Sequence, residues 1–81
     1  MRSNTSVIKN VCQTAGEKMH HIYVMRCKQE ISKLEAFHQL NEIREGLMNL
    51  LEKKKDDMTV TSKKRLNEYI ALADSYIQKV G

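Results

Sequence analysis

Eighty-one residues carry fourteen Lys and Arg against ten Asp and Glu, giving a net charge of +4 and a sequence pI near 9.2. A chain this short forms one domain, residues 1–81, that buries roughly 60% of its unfolded surface, so its core is marginal without a disulfide, a metal or a partner chain. Two cysteines are too few for a disulfide scaffold, and a sequence with no proline and three glycines among many Leu, Met, Glu, Lys, Gln and Arg is all-α.

The opening MRSNTSVIKNVC has one early positive charge and no apolar run of signal-peptide length. No stretch approaches the roughly 20 apolar residues that span a bilayer, so no membrane partner is expected. Cys12 and Cys27 read as reduced thiols of a cytoplasmic protein, packed on the apolar faces of their helices. A first short helix is predicted over Thr5 to Ala15, where Val7, Ile8, Val11, Cys12 and Ala15 are apolar. Ser3, Asn4 or Thr5 is placed to cap its start and Gly16 to end it in a left-handed conformation. The competing reading has Gly16 bend one continuous helix.

Downstream, Ile31, Leu34, Phe37, Leu40, Ile43, Leu47, Leu50 and Leu51 form a stripe in three- and four-residue steps, roughly extended upstream by Met19, Ile22 or Tyr23, and Cys27. Unbroken from Glu17 to Lys55, this central helix would be about 58 Å long at the standard rise per residue. The rest of the chain cannot cover that length in one return. The helix is therefore either interrupted, with the phase slip between Leu34 and Leu40 the favoured place, or its excess apolar face is buried against another copy. Consecutive three-residue steps drift from a 3.5-residue seam, so a long regular coiled coil is not encoded. Gly46 costs about 1 kcal/mol against alanine within such a helix, yet a residue this small also permits close approach of a partner helix.

The stretch KKKDDMTVTSKKR, residues 53 to 65, reads as the turn before the last helix. In that helix Leu66, Tyr69, Ile70, Ala73, Ile77 and Val80 share one face, and Thr59, Thr61 or Ser62 supplies its cap. Lys53, Lys54 and Lys55 suit the C-terminal end of the central helix, where the dipole favours a cation by about 0.3–1 kcal/mol each. Lys63, Lys64 and Arg65 are expected in the first turn of the last helix, where the dipole disfavours them. Free amides beside three cations suit phosphate or clustered carboxylates. The stretch is thus a solvated turn partly neutralised by Asp56 and Asp57, a polyanion site, or a dock for an acidic protein surface.

No chemistry is assembled by the remaining motifs. His20 and His21 with Glu17, and Glu35 with His38, have metal-ligand spacing on a helix but lack the further ligands that a site needs, and Cys12 and Cys27 match no zinc pattern. Neither a glycine-rich phosphate loop nor a nucleophile with an orienting partner is legible, so no enzymatic activity and no cofactor is expected. No zinc finger, aromatic stacking platform or basic-region heptad run is present, which limits any nucleic-acid role to phosphate contacts. The expected protein is a non-enzymatic helical interaction module, regulatory or chaperone-like: a hairpin of the central and last helices with a short N-terminal helix packed on it. Leu40, Ile43, Leu47 and Leu50 are expected to face Leu66, Ile70, Ala73 and Ile77. A homodimer or a protein partner is expected, and the alternative is a small basic regulator that holds nucleic acid at residues 53–65.

Overall fold

The computed structural model describes residues 4–81, of which 89% are helical. Three α-helices, α1 (Asn4–Cys27), α2 (Lys33–Lys54) and α3 (Val60–Val80), pack against each other with no strand among the described residues. The result is a small all-α three-helix bundle. Cα positions extend 44 × 18 × 14 Å along the principal axes. The capping roles expected of the Ser3, Asn4 and Thr5 side chains lie outside what the structure describes.

Helix α1 does not stop at Gly16. Ile8, Cys12, Ala15, Met19 and Ile22 are all buried, and their spacing of i, i+4, i+7, i+11 and i+14 is one continuous helix face. Covering this face stabilises the helix straight through the glycine, which has no positive φ. A Cβ built on Gly16 would stand 3.0 Å from Cε2 of Tyr69. The glycine thus lets α3 approach, and the predicted end of the first helix at residue 15 is corrected.

The break falls instead at residues 28–32. Gln29 takes the left-handed conformation at φ 63, which costs a non-glycine residue about 1–2 kcal/mol. Three amides of the link find carbonyls: Lys28 N–H donates to Val24 (3.0 Å), Gln29 N–H to Arg26 (3.0 Å) and Glu30 N–H to Met25 (2.8 Å). Arg26 Nη1 also donates to the Ile31 carbonyl at 3.2 Å. Ser32 then caps α2, its Oγ accepting the Glu35 N–H at 3.0 Å. The Ser-x-x-Glu spacing of residues 32–35 is a start signal, and it, rather than the later phase slip, marks the interruption of the expected central helix.

Within α2 the buried residues are Ala36, Leu40 and Leu47, with Ile43 and Leu50 packed against them. Leu34 and Phe37, read as part of the stripe, face outward at 67% and 43% exposure. Ala36 takes the core position, which removes the apparent slip. A 3₁₀ turn at Lys55–Asp57 leads to buried Met58. Thr59 caps α3 by accepting the Ser62 N–H at 3.1 Å, and Gly81 N–H closes the far end on the Ile77 carbonyl at 3.1 Å.

Helix α1 runs parallel to α3, as the approach of Gly16 to Tyr69 and of Tyr23 to Tyr76 (ring centroids 5.6 Å apart) requires. Helix α2 runs antiparallel to both, and an ion pair between Arg44 Nε and Asp74 Oδ1 spans α2 and α3. Leu40, Leu47, Leu66 and Ala73 lie in the core, with Ile43, Leu50, Ile70 and Ile77 packed on it. Helix α3 packs extensively against both neighbours, whereas α1 and α2 meet more sparsely. That inequality leaves one side of the bundle open.

Candidate functional site

Two surfaces stand out, a cationic bundle end and the open side. At the end, Lys53 and Lys54 occupy the last turn of α2, and Lys55, in the 3₁₀ turn, reaches Glu52 Oε2 at 3.5 Å. Lys63, Lys64 and Arg65 do not sit in the first turn of α3. The Lys63 N–H already donates to the Thr59 carbonyl at 3.1 Å, so it opens the regular helical ladder. The amides before it belong to Val60, Thr61 and Ser62, and that of Ser62 is taken by Thr59 Oγ1. The expected coincidence of free amides with three cations is therefore replaced by an offset of one turn.

Arg65 is less exposed than Lys64 beside it. It is half-buried and close enough to α1 that its charge acts on the Cys12 thiol. Burial pushes that thiol above its ordinary range, and the guanidinium works in the opposite direction. The parallel register that sets Cys12 near Arg65 and Gly16 on Tyr69 carries exposed Lys9 to the level of Ser62. Lys9 joins the six predicted cations, so seven of the thirteen Lys and Arg among the described residues stand at one end, with Glu52, Asp56 and Asp57 among them. Lys9 was not legible as part of this set, because its membership depends on the parallel arrangement of α1 and α3.

The open side is a groove between α1 and α2. Two adjoining hollows of about 680 and 460 Å³ run along it. Val11 and Ala15 from α1 and Ile43 and Leu47 from α2 line its N-terminal part, and Ile22 and Met25 join Ile43 further on. Lys18 and His21 stand on the α1 rim with Glu17 beside them, while Gln39 and Glu42 stand on the α2 rim. Gly46 borders the groove, and a Cβ built there meets nothing within 4 Å. Ile43 was expected to face α3; half-buried between the core and this groove, it serves both.

Elsewhere the titratable groups are held by local packing. His20 Nδ1 lies 3.4 Å from Tyr76 Oη, and Lys79 Nζ sits 5.7 and 5.5 Å from the Tyr23 and Tyr76 ring centroids, a cation–π arrangement. The Tyr23 phenol is raised by its hydrogen bond with Cys27, then by that thiol's charge, burial and Tyr76. Cys12 is buried as expected, but Cys27 is exposed at the C-terminal end of α1, because the helix stops there and leaves no apolar face to cover it. Among the described residues no three metal-ligating side chains come together, and no helix is long and apolar enough to cross a membrane. No family model, curated protein or solved structure matches the chain.

Proposed function

We propose that the chain is a non-enzymatic helical protein–protein interaction module that works by burying an amphipathic helix in the α1–α2 groove. The observation that carries this reading is the open side itself, where Val11 and Ile43 are only half-buried beside the unfilled space at Gly46 and Met25 is half-buried further along the groove. Helix-in-groove recognition needs an elongated apolar floor with a polar rim, and both features are present. A displayed library of amphipathic helical peptides selected on the protein tests it. Enrichment of apolar residues at i, i+3, i+4 and i+7, with binding lost in Ile43→Asp, is the expected result. No enrichment, or binding indifferent to Ile43→Asp in a variant of unchanged helicity, would sink the reading.

The cationic end favours a second reading, a small basic regulator that engages nucleic acid through phosphate contacts. Seven cations against three acids at one end provide attraction without a means of reading bases. Binding to a labelled DNA duplex, followed by anisotropy, should then fall steeply with salt. Lys53→Glu, Lys54→Glu, Lys63→Glu and Lys64→Glu together should abolish it at unchanged helicity, since each phosphate contact contributes about 0.9 to the log–log salt slope. Arg65 is left in place because of its burial against α1. Absence of binding at low salt would remove this reading.

A further inference from the structure

We infer that the occupant of the α1–α2 groove is the same groove of a second copy, related by a two-fold axis parallel to the helices. The inference rests on the groove being an interaction surface and names what fills it. Its first support is charge. Lys18 and His21 stand on the α1 rim, while Glu42 stands at the same level on the α2 rim. A two-fold axis along the groove lays each α1 over the partner's α2, so that Lys18 meets the partner's Glu42 twice in the pair. An axis perpendicular to the helices would instead lay α1 on α1 and α2 on α2, setting like rims against each other. Glu17 also borders this stretch, and Lys18 next to it in the chain offsets its charge.

Size gives the second support. The broadest side of the bundle measures 44 by 18 Å between Cα extremes, so a molecule of this size can supply the roughly 800 Å² per partner of a standard stable interface. Such a pairing covers an apolar strip that the monomer leaves open. Val7 is 50% exposed, and Val7, Val11 and Met25 recur at helical spacing on the side of α1 that also carries Thr14 and Lys18. Thr14 and Gly46 lie at one level of the groove, and both are small enough for helices to approach closely across the axis.

Sedimentation equilibrium of the full chain over a concentration series tests the proposal, with Lys18→Glu, Glu42→Lys and the double reversal alongside wild type. Both residues are exposed, so helicity is expected to be unchanged. Wild type is expected to dimerise, each single reversal to raise the dimer Kd about tenfold, and the double reversal to return it to within about threefold of wild type. A monomer throughout would overturn the proposal. A dimer that the reversals do not affect, or that Lys18→Glu tightens, would overturn the parallel two-fold arrangement. A monomeric protein that still selects groove-binding helical peptides would end this inference alone and leave the interaction-module reading standing.

Discussion

Leu66→Ala is expected to lower the unfolding free energy by about 2–5 kcal/mol, the range for deleting a fully buried leucine. Leu66 has no exposed surface and lies in the core beside Leu40, Leu47 and Met58. At roughly 0.05–0.15 kcal/mol per residue, a domain of this length has a total stability of about 4–12 kcal/mol. The substitution thus removes a large share of it, and urea denaturation should show the midpoint falling sharply. Leu40→Ala is expected to behave alike. Leu34→Ala, at an apolar position 67% exposed, should stay within about 0.5 kcal/mol of wild type. A cost at Leu34 equal to that at Leu40 would mean that α2 is rotated about its axis.

That comparison separates what could be read from the residues from what could not. The all-α class and α3 were legible because each rests on one signal with no rival: absence of proline for the class, and the run from Leu66 to Val80 for the helix. Leu34 and Phe37 were misplaced because a stripe read for large apolar residues passes over Ala36, which is fully buried. The phase of that stripe points to a break between Leu34 and Leu40, whereas the signal for the break is the Ser32 cap with Glu35 three residues on. Gly16 reads as an ending because a capping glycine and a packing glycine are the same letter. Only the Tyr69 ring on the neighbouring helix tells them apart.

The two surfaces were unequally visible for a related reason. The cations of residues 53–65 are contiguous in the chain, so their grouping needed no fold, although their offset from the α3 amides did. The groove has no contiguous signature, since its walls are set by how far α1 and α2 stand apart. The proposed parallel pairing joins the two surfaces. A two-fold axis along the helices leaves both cationic ends on the same side, which doubles the positive charge presented to a polyanion. Under that arrangement Lys18→Glu should weaken binding to DNA beyond the change of two charges per chain, because it also separates the two ends.

Gly46→Ala and Gly16→Val are expected to shift stability in opposite directions, although both residues are glycines inside helices. At Gly46 an added methyl meets nothing within 4 Å, so the substitution only removes backbone freedom from the unfolded chain. A gain of about 1 kcal/mol follows, equivalent to a rise in Tm of about 4–8 °C for a domain of this size. At Gly16 the first added carbon already stands 3.0 Å from Cε2 and 3.7 Å from Cδ2 of Tyr69. Two further methyl groups force the ring or α3 to move, at about 1–3 kcal/mol for overpacking. The half-buried Tyr69 ring has some room to give, which makes valine rather than alanine the decisive variant. Thermal melts should be run dilute, where self-association adds nothing to either value. A Gly46→Ala chain that gains stability when dilute yet loses it relative to wild type when concentrated would place a partner helix against Gly46. A Gly16→Val chain as stable as wild type would instead mean that α1 and α3 do not approach closely at Tyr69.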